Sequence, residues 1–283
     1  MNAPTLTFDY RKHTTTYKGY SIQTYEFGEG ENIVFSFPSF PHSGLYYLWF
    51  LTHYDKHSVR FITFDLPGWS GYSENIFQKN DFTIDEYVEI AKVILSDYGV
   101  DKFSVIGYSF GGAMALKLAA DCKERVNKLV LVSSVINSNI VQRFNLIRLV
   151  KLLHFSKYYN VLRNVIVRKM KEISRVLNEE EGIPMIFLEM YSDMVKHIDA
   201  RVISESIYKL FTSDYSKYLD EIRDKEVLIV NTKEEPKLFR IQAEFLRRKL
   251  NNEKSMYIHG SHDDFILRCR KDVVKEVIKF LSK

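Results

Sequence analysis

Residues 103–118 read Phe-Ser-Val-Ile-Gly-Tyr-Ser-Phe-Gly-Gly-Ala-Met-Ala-Leu-Lys-Leu. The run Phe103 to Ile106 is short and apolar, as in a strand buried on both faces, and from Gly112 onward the residues favour a helix. Between them lies Gly107-Tyr108-Ser109-Phe110-Gly111. By itself this glycine-serine-glycine spacing is a weak signal, but between a strand and a helix it is a strong one. A turn this tight strains the serine backbone, and a Cβ two positions to either side would strike the neighbouring strand and helix, so glycine is required there. The turn presents the hydroxyl at the carboxyl end of a sheet, where open α/β sheets bind ligands, with the positive end of a helix dipole behind it. The N–H of Phe110 then points toward any oxyanion formed at Ser109. The blander reading is a glycine-rich turn that only permits close packing.

Outward from this turn, short apolar runs bounded by turn residues recur at Ile33 to Phe37, Phe61 to Phe64, Leu129 to Val132 and Val227 to Val230, and they predict buried parallel strands. Helical stretches alternate with them at 84–98, 112–121, 238–250 and 273–281. This alternation predicts an α/β fold, a mostly parallel sheet covered by helices on both faces. Residues 5–27 alternate around Lys18-Gly19 as an antiparallel hairpin would. The rhythm breaks over 136–222, where apolar residues recur only at three- and four-residue spacing. The expected organisation is a core of residues 1–135 and 223–283 with a helical cap, or lid, at 136–222.

Composition narrows the function. With 46% hydrophobic and 27% charged residues in 283, the chain is long enough to bury a sizeable core. A formal net charge of +4 is far from the basic excess of a dedicated nucleic-acid binder. No apolar run approaches the ~20 residues of a membrane span. The start, MNAPTLTFDYRKH, lacks the features of a secretory signal, so a cytoplasmic location is expected. Cys122 and Cys269 are the only cysteines and have no metal-ligand spacing, so neither a disulfide framework nor a zinc site is expected.

Three segments in order, Asp65-Leu-Pro-Gly-Trp-Ser-Gly-Tyr-Ser73, the Ser109 turn and Gly260-Ser-His262, make the chain resemble the α/β-hydrolase superfamily. The likeness is to its branch of small capped serine hydrolases, which includes esterases, lactonases and cofactor-free haloperoxidases. It covers nearly the whole chain apart from the insertion. It implies Ser109 as nucleophile and an order of serine, acid, histidine.

A serine hydroxyl needs a base to remove its proton and return it to the leaving group. His262 follows the last strand-like run, Ser255 to Ile258, where the family keeps its base; His259 is the rival. The third member must be a carboxylate that fixes the histidine tautomer. The family places it in the loop after the strand at Val227 to Val230, here Asn231-Thr-Lys-Glu-Glu-Pro236. That loop has no aspartate. Glu235 aligns best, with Glu234 as the alternative acid, and glutamate does occur as a triad member in this fold.

A second oxyanion donor should come from the loop after Ile33 to Phe37, which lacks the family's usual His-Gly pair. Pro38 and Pro41 have no N–H, which leaves Ser39 and Phe40, and the alignment favours Phe40. Ser39, Tyr108 and Trp69 are candidates to line the substrate pocket, although Trp69 also reads as a packed aromatic and Asp65 as a structural hydrogen-bonding residue.

Within the insertion, Phe144, Tyr158, Tyr159, Phe187 and Tyr191 would supply an apolar ceiling or simply lid core. Its basic stretch from Arg143 to Arg175 reads as a solvated helix face, with attraction of an anionic substrate or a membrane surface as the other readings. The expected activity is hydrolysis of a carboxylic ester or related acyl bond in a small to medium hydrophobic acyl or aromatic substrate, through an acyl-Ser109 intermediate, with no metal and no organic cofactor. A homo-oligomer is compatible with the sequence. Carbon-carbon bond hydrolysis, lactonase, amidase and acyltransferase chemistry use the same residues, and a non-catalytic ligand-binding protein could use the same scaffold.

Overall fold

The computed structural model describes residues 10–39, 42–47, 56–69, 72–77, 81–142, 144, 148, 151, 161, 164, 168, 197–250, 253–260, 262 and 271–282. Eight strands form one sheet in the order β1-β2-β4-β3-β5-β6-β7-β8. Strands β1 (Tyr10–Tyr17) and β2 (Tyr20–Phe27) form the expected antiparallel hairpin. Its two turn residues, Lys18 and Gly19, have φ of 50° and 83°, which suits a turn whose twist matches that of the strands. The hairpin joins the sheet antiparallel to β4 (Arg60–Phe64). From β4 through β3 (Ile33–Phe37), β5 (Phe103–Tyr108), β6 (Val126–Val132), β7 (Glu226–Thr232) and β8 (Glu253–Ile258), every pairing is parallel. This is the α/β sheet expected from the alternation.

The elements differ from the sequence reading mainly at their ends. β5 runs to Tyr108 because Gly107 and Tyr108 still pair with Leu131 and Val132 of β6. Helix α2 accordingly starts at Phe110, immediately after Ser109, and runs to Asp121. All six residues of β5 are buried, as a central strand covered on both faces requires. α2 buries Phe110 through Leu116 in unbroken succession, so it lies inside the molecule. It packs on β5, β6 and β3 and against helix α1 (Ile84–Asp97), which buries an apolar stripe including Tyr87, Val88, Ala91, Ile94 and Leu95.

Within 136–222, the described residues form a short helix α3 (Ser138–Val141), helix α4 (Ala200–Thr212) and a tighter 3-10 turn at Ser216–Ile222. Phe144 is partly buried against the core. Tyr158, Tyr159, Phe187, Tyr191 and most of the basic stretch lie outside the described residues. Asp199 caps α4 by accepting from the N–H groups of Arg201 and Val202. Helices α5 (Lys237–Leu250) and α6 (Lys271–Leu281) complete the α/β alternation. Among the described residues no helix is long and apolar enough to cross a membrane.

Asp65, which follows β4, is fully buried and accepts hydrogen bonds from the Tyr25 hydroxyl at 2.7 Å, the Gly44 amide at 2.9 Å and the Ser43 hydroxyl. It pins the hairpin and the turn at Gly44–Tyr47 to the sheet. Burial, followed by the Asp65 charge, raises the Tyr25 phenol far above its ordinary range, so the hydroxyl remains a donor. Asp65→Asn would replace one acceptor oxygen by an NH2 group and turn its N–H donors toward this set of donors. The expected loss is about 1–3 kcal/mol, read as a lower urea midpoint with unchanged m value.

Candidate active site

The backbone at Ser109 has φ 53° and ψ −111°, in the left-handed half of conformational space that a residue with a Cβ seldom occupies. Its conformation is held on both sides. The Ser109 N–H donates to Val132 O at 2.8 Å, and its carbonyl accepts from the Gly112 N–H at 3.1 Å.

The surrounding glycines are set by space. A Cβ on Gly107 would lie 2.6 Å from the Ala115 Cβ and closer still to the Gly111 carbonyl oxygen, while one on Gly111 would lie 2.8 Å from the Pro38 carbonyl oxygen and closer to that of Phe37. The loop after β3 therefore passes directly over the first turn of α2. Gly112, which the motif leaves unassigned, is equally constrained, because a Cβ there would overlap the side chain of Ser134.

Three segments converge on the Ser109 hydroxyl. His262 Nε2 lies 3.1 Å from Ser109 Oγ, and its Nδ1 lies 3.2 Å from Glu235 Oε1. An ionised carboxylate only accepts, so Nδ1 carries the proton and Nε2 is left to accept from the serine hydroxyl. The Glu235 side chain is 0% exposed and that of His262 20%. The carboxylate is thus shielded while the imidazole keeps an edge toward the site.

His262 is also held by groups that the motif did not reveal. The Tyr108 hydroxyl donates to the His262 carbonyl at 2.5 Å, tying the residue before Ser109 to the loop that carries the histidine. The Phe239 ring, in the first turn of α5, lies 4.1 Å from the imidazole centroid at an interplanar angle of 30°. Glu235 Oε2 accepts from Asn231 Nδ2 at 2.6 Å, and both residues are buried. The signal for Asn231 was a polar residue at the end of an apolar strand; Phe239 carried none, because its contact spans two separate segments.

The alternatives fall elsewhere. Glu234 is exposed; one carboxylate oxygen accepts from the Gly260 amide and the other lies 3.7 Å from His259 Nδ1. The Gly260 amide, more than any other cause, holds the Glu234 carboxyl below its usual range. His259 is exposed beside Lys233 Nζ at 2.7 Å. Phe110 begins α2, so its N–H is one that the helix itself cannot use. Phe40 lies outside the described residues, while Ser39 is buried, with its carbonyl accepting from the His42 N–H at 2.8 Å.

Two of the pocket candidates are buried and hydrogen-bonded within the fold. Tyr108 is fully buried with its hydroxyl engaged on the His262 loop. Trp69 is fully buried, 4.5 Å from the Phe110 ring by centroids, and its Nε1–H donates to Ser206 Oγ at 3.0 Å.

Residues 32–166 match the sequence model of a family described as alpha/beta hydrolase fold. The fold is similar to that of an enol-lactonase from Burkholderia xenovorans LB400, with TM-score 0.73 and 16% identity over 96% of this chain and 100% of that one. It is also similar to a bromoperoxidase from Bacillus anthracis, with TM-score 0.70 and 15% identity over 96% and 100% of the two chains. A structure from work on carboxylesterases of the thaumarchaeon Nitrososphaera gargenis gives TM-score 0.69 and 14% identity over 95% and 98%. At these identities the likeness is one of fold. A search of curated proteins by sequence returned no match.

The close approach at Gly111 makes a specific demand. Gly111→Ala should force the Phe37–Pro38 carbonyls away from α2 and destabilise the fold by about 1–3 kcal/mol, measured by chemical denaturation.

Proposed function

We propose that this chain, a member of the α/β-hydrolase superfamily, is a serine hydrolase that cleaves a carboxylic ester or related acyl bond, with Ser109 as nucleophile, His262 as general base and Glu235 as the acid that orients it. The observation that carries this reading is the imidazole lying within hydrogen-bond reach of both Ser109 Oγ, at 3.1 Å, and Glu235 Oε1, at 3.2 Å. Residues drawn from the turn after β5, the loop after β7 and the loop after β8 would have little reason to meet in that order at the carboxyl edge of the sheet if they served packing alone.

Ser109 Oγ attacks the substrate carbonyl carbon and passes its proton to His262 Nε2. The carbonyl electrons move onto oxygen, which takes hydrogen bonds from the N–H of Phe110 and, from the loop after β3, that of Phe40. As the tetrahedral centre collapses, the bond to the leaving oxygen breaks and that oxygen takes the proton from His262. A water then attacks the acyl-Ser109 carbonyl and gives its proton to the same nitrogen. Collapse returns the proton to Ser109 Oγ and releases the acid. Ester plus water gives acid plus alcohol, and the enzyme is regenerated. The Glu235 carboxylate stabilises the imidazolium that forms twice in each turnover.

Residues 136–222 form the cap in this reading and bound the acyl pocket. The solved structures of similar fold include proteins named as lactonase, esterase and thioesterase. Those names share acyl chemistry, which favours a small acyl compound as the substrate class here.

A fluorophosphonate probe should label the native chain at Ser109. Ser109→Ala should take no label, and His262→Ala should label about 10³-fold or more slowly. Labelling is read by intact-protein mass spectrometry. Folded wild-type protein that takes no label and turns over none of a graded series of p-nitrophenyl esters would overturn the assignment.

A further inference from the structure

Glu235 stands where the resembling family usually carries an aspartate, and the difference creates a problem of control. Glutamate has one more rotatable bond, so its carboxylate samples more orientations around the histidine and loses more freedom when fixed. Three features remove that freedom. Pro236 follows Glu235 and restricts its backbone to extended conformations. The loop before it is tied to the end of β8 and the turn beyond it, with Lys233 N–H donating to Ile258 O at 2.8 Å and Glu234 N–H to Gly260 O at 3.3 Å. The third feature is Asn231, whose amide donates to Glu235 Oε2 at 2.6 Å from within β7, where its backbone is paired in register with Tyr257 of β8.

We propose that Asn231 is a positioning residue for the reaction: by occupying Glu235 Oε2 from a rigid strand, it directs Oε1 at His262 Nδ1 and makes a glutamate serviceable as the orienting acid. The inference rests on the triad reading above. Asn231 acts only through Glu235. The Glu235 side chain is fully buried, so without this donor Oε2 would lose a charge-assisted hydrogen bond that water cannot readily replace. The carboxylate would then turn to find another donor and release its hold on the ring.

The test uses the fluorophosphonate labelling rate on the full chain, resolved into probe affinity and maximal rate, with thermal unfolding as a check on folding. Asn231→Ala should lower the maximal labelling rate about tenfold or more with probe affinity unchanged, as should Asn231→Asp, which keeps the volume but replaces the donor by an acceptor. The Asn231→Ala, Glu235→Gln double variant should label no more slowly than Glu235→Gln alone, because the two residues act as a unit. A general loss of structure would multiply the two defects, and that result would overturn the proposal. Wild-type labelling by both folded Asn231 variants, while Glu235→Gln is slow, would overturn it and leave the triad reading standing. Absence of Ser109 labelling in the wild type would remove both.

Discussion

The site depends on a close approach between two backbones. β5 can pass into α2 at Ser109 only because Gly107 lets the strand lie against the Gly111 carbonyl and Ala115, and because Gly111 lets the helix lie under the loop after β3. With these contacts made, Ser109 is held at φ 53° and the Phe110 amide is left at the head of a buried helix. The strain at one serine is small beside the burial of β5 and of most of α2, so the surrounding core can enforce it. The same approach brings the Phe37 and Pro38 carbonyls next to the helix head.

The remaining groups are brought to this fixed point by links that cross the sheet edge. Tyr108 joins the elbow to the backbone of His262, and Glu235 and Phe239 hold the imidazole from the segment after β7. Glu234, one residue away, does different work: it secures the Gly260 amide at the start of the loop that carries His262. Adjacent glutamates thus serve two structural tasks, one steadying the loop and the other reaching the ring.

The described part of the insertion is anchored firmly to the core. Asp199 receives a hydrogen bond from Asn75 at 2.7 Å, and its N–H donates to Gly68 O at 3.1 Å. Trp69 reaches Ser206 on α4, while Gln242 of α5 takes the Asn137 N–H and returns a bond to the Asn137 carbonyl. Through Trp69, which packs on the Phe110 ring, α4 leans on the residue that heads α2. The C-terminal stem of the insertion is therefore part of the frame around the elbow.

The strand-elbow-helix unit, the alternation of strands and helices and the identity of Ser109 and His262 as candidates were all legible in the sequence. These features are local: glycine spacing reports steric demands made within a few residues, and a continuous apolar run reports burial on both faces of a strand. The structure alone decided which glutamate approaches His262, because neighbouring side chains on an irregular loop point in different directions, and the directions are set by hydrogen bonds to Ile258 at the end of β8 and to Gly260 just beyond it. For the same reason the link from Tyr108 to His262 and the placing of Asn231 and Phe239 around the acid and the ring emerged only in three dimensions, whereas Trp69 as a packed aromatic and Asp65 as a structural hydrogen-bonding residue were legible in the sequence and only their partners were not. Each of these contacts depends on a partner remote in the chain or on the geometry of a fold, and a linear spacing carries no record of either.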